Sequence, residues 1–276
     1  MNFSVLLSVY HREIADNLEN SLNSIIDQTL LPNEIVLVKD GPLNDELDRV
    51  IENFQLAYPT LFKIVALNKN FGLGNALRFG VEHCSYDIIA RMDTDDIARP
   101  ERFERQINFL IRNPDIGVIG SNMEEFDKVP GDLKRFKVNP EEHDDLIKAI
   151  KLRNPFNHPS TMMRKEALLN AGNYNGDILL FEDYSLFLKM WKVGVKFYNI
   201  QEVLLDFRVG DGLETIKRRS GIHYLEKERL FLKYAKSIGA FTSWDVLKYK
   251  LLKFPVRVMP PKLVLLIYNT FLRTKV

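Results

Sequence analysis

Two hydrophobic periodicities alternate along the first hundred residues. Phe3-Ser4-Val5-Leu6-Leu7-Ser8-Val9 is a nearly continuous apolar run, which predicts a strand buried on both faces. The spacing then changes: Ile14, Leu18, Leu22, Ile25 and Ile26 recur at helical intervals up to Asp27. Pro32 breaks the chain, and Glu34 to Val38 reads as a second strand closed by Asp40-Gly41-Pro42. A helix over Asn44 to Ala57, a strand over Phe62 to Leu67, a helix over Gly74 to His83 and a strand over Asp87 to Met92 follow. Short connections between alternating strands and helices predict an α/β fold, with a mainly parallel sheet and helices on both faces. Ligands of such sheets bind beyond the carboxyl ends of the strands. Tyr10, Asp40, Asn68 to Asn70 and Asp93 all fall just past such ends.

The second half is less regular. Pro100 to Arg112 reads as helix and Ile116 to Ser121 as strand. Asn139-Pro140-Glu141-Glu142 has the chemistry of a helix start, with Asn139 as the cap. Pro155 to Met163 is extended or loop, and Glu182 to Trp191 is helix. Val195 to Ile200 and Val203 to Val209 are two short strands. Arg219 to Ser237 is a long amphipathic helix, followed by a helical tail broken at Pro255, Pro260 and Pro261. A composition shift near Gly210 divides residues 1–210 from a C-terminal helical extension, 211–276.

Composition narrows the class. A chain of 276 residues can bury a core without staples. The lone Cys84 forms no internal disulfide, which suits a reducing cytoplasm. The net charge of +1 lacks the basic excess of a nucleic-acid binder. No basic segment precedes the apolar run at Phe3, so no signal peptide is expected, and no apolar run is long enough to span a bilayer. The tail is basic and apolar together: Lys248, Lys250, Lys253, Arg257, Lys262, Arg273 and Lys275 alternate with Val264 to Tyr268 and Phe271-Leu272. It reads equally as a peripheral membrane contact and as a helix packed on protein.

Asp93-Thr94-Asp95-Asp96 carries the strongest chemistry. Three carboxylates in four positions repel unless a cation sits among them, and oxygen ligands suit Mn²⁺ or Mg²⁺. Alone, the cluster also fits a solvated turn with Asp96 capping the next helix. Its place at a strand's carboxyl end, with Asp40 in an equivalent place, favours the site. Glu182 and Asp183 open a helix, as a cap or as a general base. Arg218-Arg219 suits phosphate oxygens or a solvated helix start. Tyr10 is placed to stack on a base or to pack at a rim. His158 lacks a second His or Cys nearby and is read as structural or substrate-contacting. Gly72-Leu73-Gly74 is no dinucleotide fingerprint, because Leu77 occupies the third glycine position.

Taken in order, these pieces resemble the inverting glycosyltransferase family 2, in the branch of amylovoran-type enzymes that build exopolysaccharide, capsule and O-antigen. The matching stretches are Ser8-Val9-Tyr10, Gln28-Thr29, Glu34 to Pro42, Asn70-Phe71-Gly72-Leu73-Gly74 and Ala90 to Asp96. They continue through Arg99-Pro100-Glu101-Arg102 with Gln106, His158-Pro159-Ser160, Glu182-Asp183-Tyr184, and Arg208-Val209-Gly210 with Arg218-Arg219. The resemblance implies a GT-A fold, Rossmann-like, over residues 1–210. It also implies a nucleotide-sugar donor, in the first instance a UDP-sugar, and a glycan or lipid-linked oligosaccharide acceptor. Tyr10 would line the base pocket, Asp40 would contact the base, and Asn70 and Arg78 would lie near the nucleotide. Asp93 would approach the ribose, Asp95 would hold Mn²⁺ or Mg²⁺, and Arg218 and Arg219 would close over the diphosphate. Asp183 would be the catalytic base, with Glu182 as the fallback. Lys39 departs from the family's Asp-Asp-Gly-Ser pattern and leaves the base preference open. The lone cysteine points to the cytoplasm, and the tail leaves open a peripheral place on the inner face of the cytoplasmic membrane. The alternative is a donor-binding or scaffold subunit of a polysaccharide assembly complex, against which the retained aspartates argue. A sugar nucleotidyltransferase would need a glycine-rich loop where Tyr10-His11-Arg12-Glu13 stands.

Overall fold

The computed structural model describes residues 1–210, 220–260, 263–264 and 274–275. Its first half contains the parallel strands β1 (Phe3–Val9), β2 (Glu34–Lys39), β3 (Phe62–Ala66) and β4 (Ile88–Arg91), in the order β4-β1-β2-β3. Helices α1 (Ala15–Ile26), α2 (Asp45–Ala57) and α3 (Leu73–His83) connect them. Successive strand side chains point to opposite faces, so a doubly covered strand needs apolar residues throughout. Val5, Leu7 and Val9 accordingly pack with Leu18 and Leu22 of α1 and Ile51 of α2. Leu6, with Val36 and Val38, packs with Ala76 and Leu77 of α3 on the other face.

After the two-residue strand β5 (Ile97–Ala98) come α4 (Arg102–Arg112), β6 (Ile116–Phe126), β7 (Arg135–Lys137) and α5 (His143–Ala149). Then follow β8 (Met162–Arg164), α6 (Lys165–Asn170), α7 (Glu182–Lys192) and β9 (Lys196–Arg208). β8 lies antiparallel between β4 and β6, so the sheet is parallel in its first half and mixed beyond, with the order β7-β6-β8-β4-β1-β2-β3. Met162 enters one core and Met163 the other, the same division that β1 makes.

Three local expectations are corrected. The two short strands over 195–209 are one strand, β9, parallel to β6. Register shifts around Asn122 leave Gln201 and Glu202 outside the ladder, a bulge that bends the strand without ending it. Asn139 does not cap α5, whose cap is Glu142. Asn139 is buried instead, and its backbone N–H donates to Asn122 Oδ1 at 3.1 Å beside the bulge. Pro255 does not break the tail but lies inside a helix, on its exposed side, where water can reach the carbonyl its missing N–H would have met.

Of two C-terminal helices, α8 (Gly221–Ser237) packs on α7, and α9 (Ser243–Val258) packs on α8. Phe231 of α8 stacks on Phe181 with centroids 4.8 Å apart and joins the same apolar cluster as Phe187 of α7. Thr242 and Asp245 form a reciprocal capping box that starts α9.

Candidate active site

The acidic triplet follows β4 directly. One ligand oxygen each from Asp93, Asp95 and Asp96 lies within 4.8 Å of the others. Their surroundings are built for charge. Arg91, the last residue of β4, is fully buried and ion-paired to Asp93. It pairs in register with Leu6, and Asp93, two positions on, continues that face, on which α3 packs. The Thr94 hydroxyl donates to Glu13 Oε2 at 2.6 Å and the Ser21 hydroxyl to the Asp93 carbonyl at 2.9 Å, fixing the turn. Arg208 closes it from β9: its backbone N–H donates to Asp96 Oδ1 at 2.9 Å and its Nε–H to the Asp95 carbonyl at 3.0 Å.

Asp96 is therefore not a helix cap. It is fully buried, and α4 begins only at Arg102 with Glu101 as its cap. Burial, then the charges of Asp95 and Asp93, push its carboxyl well above the usual range. Asp95 is raised to about 7, by burial first and then by Asp93 and Glu13. One oxygen of Asp96, Oδ2, is buried without a hydrogen-bond partner. A cluster of oxygens that resists ionisation and leaves an acceptor unused fits a divalent cation.

Asp40 and Asn70 meet past the ends of β2 and β3, which β1 separates from β4. Asp40 is buried, and its two oxygens accept the backbone N–H groups of Phe71 at 2.7 Å and Gly72 at 3.0 Å. The Gly72 N–H is shared with Asn70 Oδ1 at 3.1 Å. This close approach demands Gly41: a Cβ there would lie 2.6 Å from the Asn70 nitrogen, and its φ is +91°. Tyr10, just past β1, is 40% exposed and packs edge-on against His11. Lys39 is paired with Asp48 at 2.5 Å. Arg78 lies on the exposed side of α3, 3.8 Å from Glu82. Arg218 and Arg219 fall outside the described residues.

Glu182 and Asp183 occupy the first turn of α7. The start of α3 abuts them: a Cβ on Gly74 would lie 3.2 Å from Glu182 Cβ. Asp183 accepts from Asn154 Nδ2 at 2.6 Å and from the Tyr184 N–H at 2.7 Å. Burial, then Asp183, raises Glu182 to about 7. The two acidic groups share one electrostatic centre. Arg91 acts on Asp95, Asp96, Glu182 and the buried Tyr174, whose hydroxyl also feels Asp183, Asp93 and Glu182. Tyr174 is hydrogen-bonded at 2.8 Å to His158, and both are buried. A surface cavity of about 420 Å³ beside α4 and β9, with Arg105, Phe109 and Tyr198 in its wall, shares no residue with this site.

Sequence reasoning missed Arg91, Glu13 and Asn154. Arg91 had a signal, since it precedes Asp93 by the strand period. Asn154 reaches Asp183 across 29 residues and had none.

The family model "Glycosyl transferase family 2" matches residues 4–171. The chain is 37% identical over 269 residues to the amylovoran biosynthesis glycosyltransferase AmsE of Erwinia amylovora, covering 97% of this chain and 98% of that protein. It is 39% identical over 226 residues to the UDP-Gal:alpha-D-GlcNAc-diphosphoundecaprenol beta-1,3-galactosyltransferase of Escherichia coli, covering 82% of this chain and 80% of that one. The crystal structure of S. aureus TarS 1-349 in complex with UDP-GlcNAc shares the fold, with a TM-score of 0.63 at 16% identity over 95% of this chain and 78% of that one. On the family match and the near full-length identity, the chain belongs to glycosyl transferase family 2.

Proposed function

We propose that this enzyme moves a sugar from a UDP-sugar to a hydroxyl of a glycan or lipid-linked oligosaccharide, with inversion, in bacterial surface polysaccharide biosynthesis. The observation that carries the proposal is the gathering of the metal-type triplet and the Glu182-Asp183 pair around buried Arg91 and Tyr174. The relative from Escherichia coli, named for a UDP-Gal donor and a diphosphoundecaprenol acceptor, supports the substrate classes.

Asp95 and its neighbours in the triplet would hold Mn²⁺ or Mg²⁺, which when bound neutralises charge on the departing diphosphate. Asp93 orients the ribose. Tyr10 stacks on the base, and Asp40, with lone pairs left beyond its two backbone bonds, accepts a base N–H. Asn70 borders the nucleotide, while Arg78 is assigned no contact. Arg218 and Arg219 close over the diphosphate.

Asp183 takes the proton of the acceptor hydroxyl. That oxygen bonds to the anomeric carbon as the bond from this carbon to the diphosphate oxygen breaks, and the nucleoside diphosphate leaves with the electron pair. Asn154 and the Tyr184 N–H fix the Asp183 carboxylate for this step. Glu182, which burial and the Asp183 charge raise to about 7, stands beside it as the fallback base. The test is Asp183→Asn, assayed for transfer and, separately, for donor binding. Loss of transfer with binding retained is expected, and near-normal turnover would remove Asp183 from the base role.

A further inference from the structure

Charge divides this chain unevenly. Residues 221–276 carry eleven Lys or Arg against three acids, although the whole chain has a net charge of only +1. Within that basic segment, α9 presents an apolar stripe to solvent. Trp244 is 68% exposed, Leu247 46%, Leu251 65% and Val258 70%. At about 100° per residue these four fall within a sector of roughly 60°. Exposed Lys248 and Lys250 stand on either side of it, and exposed Leu252 widens it beyond Lys248. The opposite side of the helix is the packed one: Tyr249 donates to Glu228 of α8 at 2.9 Å, and Arg257 pairs with the same carboxylate at 2.9 Å.

The stripe runs toward the proposed acceptor side of the site. Arg257 lies 4.6 Å over the Tyr224 ring, and Tyr224 packs on Phe181 at 5.4 Å. Phe181 directly precedes Glu182-Asp183. Exposed Leu179 and Leu180 precede it, and exposed Ile222 lies two residues before Tyr224. Apolar exposure thus extends from Trp244 along α9 to the rim beside Asp183. No described helix is long and apolar enough to cross a membrane.

We propose that the exposed face of α9, continued by Ile222 and Leu179-Leu180, lies in the plane of an anionic lipid surface, with Trp244 at the headgroup level and Lys248 and Lys250 on the phosphates. Basic flanks around an apolar stripe are the pattern that binds anionic bilayers. An exposed tryptophan with leucines beneath suits the interface. This inference deepens the proposed function, because it turns Asp183 toward an acceptor held in the bilayer.

The experiment is flotation of the full chain with phosphatidylcholine vesicles, with and without about a third phosphatidylglycerol. Binding to the anionic vesicles, weakened by salt and accompanied by a blue shift of Trp244 emission, is expected. Leu247→Ser with Leu251→Ser should lower the vesicle affinity by roughly tenfold or more, since these side chains supply the inserted apolar area. Lys248→Glu with Lys250→Glu should lower it at least as far, at roughly fivefold per lysine removed. Both variants should keep the wild-type circular dichroism spectrum and donor hydrolysis. Absence of flotation at every composition, binding that the substitutions leave unchanged, or a concentration-dependent dimer that buries Trp244 without vesicles would each overturn the proposal. Donor hydrolysis on the same samples separates the two readings: its persistence without flotation sinks only the membrane surface.

Discussion

The triplet predicts a trade of stability for metal binding that can be measured. Asp95 is raised from 3.8 to about 7 by burial and by its acidic neighbours, so the folded protein holds that proton more tightly than the unfolded chain does. A carboxyl with a raised folded value makes stability fall as pH rises from the unfolded value to the folded one, and the penalty is complete above it. At about 1.4 kcal/mol per unit, the window from pH 5 to 7 corresponds to roughly 3 kcal/mol, a sizeable part of a typical folding free energy. Whole-protein pH curves would blur this. His158 is held well below its usual range by burial and Arg91, and so contributes in the opposite direction up to its unfolded value near 6.5. The clean quantity is the difference between wild type and Asp95→Asn in urea unfolding with EDTA, followed from pH 5 to 7.5. The variant should gain on the wild type across that range by roughly 3 kcal/mol. Mn²⁺ at about a thousand times the dissociation constant should reverse the sign at pH 7.5, because the wild type then gains about 4.1 kcal/mol of binding energy that the variant lacks. A variant that is less stable than wild type at pH 7.5 in EDTA would refute the reading of the triplet as a strained, cation-seeking cluster.

Other outcomes follow from the same geometry. Arg91→Met leaves the Asp93 charge without its buried partner and should destabilise the fold by about 3–5 kcal/mol, read by thermal or urea unfolding; a loss within error would mean the pair is idle. Gly41→Ala drives a methyl into the Asn70 backbone at positive φ and should cost roughly 1–3 kcal/mol, with weaker nucleotide binding in a titration of UDP. Asn154→Ala should lower kcat while leaving the donor KM nearly unchanged, because its Nδ2 steadies the proposed base Asp183.

Much of this was legible in the sequence, for reasons that differ by element. β1 declared itself because a strand covered on both faces has no room for polar alternation, and Leu6 and Leu7 do enter opposite cores. The triplet was legible because β4 ends where its carboxylates begin. Asp40 and Asn70 were placed at the right edge, but their mutual contact through Phe71 and Gly72 spans 31 residues and has no local signature. β9 looked like two strands because a bulge at Gln201-Glu202 interrupts the apolar pattern without interrupting the ladder. Asp96 resembled a cap because caps are judged from the next few residues. Its partner is Arg208, 112 residues away.

The central claim is that Asp93, Asp95 and Asp96 form a metal-dependent donor site. Release of nucleoside diphosphate from a panel of nucleotide sugars, with crude lipid-linked acceptor, in Mn²⁺ and then in EDTA, tests it most directly. The account predicts release from a UDP-sugar in Mn²⁺, its loss in EDTA, its return when Mn²⁺ is restored, and none from Asp95→Asn under any of these conditions. Turnover that ignores EDTA, or that survives in Asp95→Asn, would contradict it.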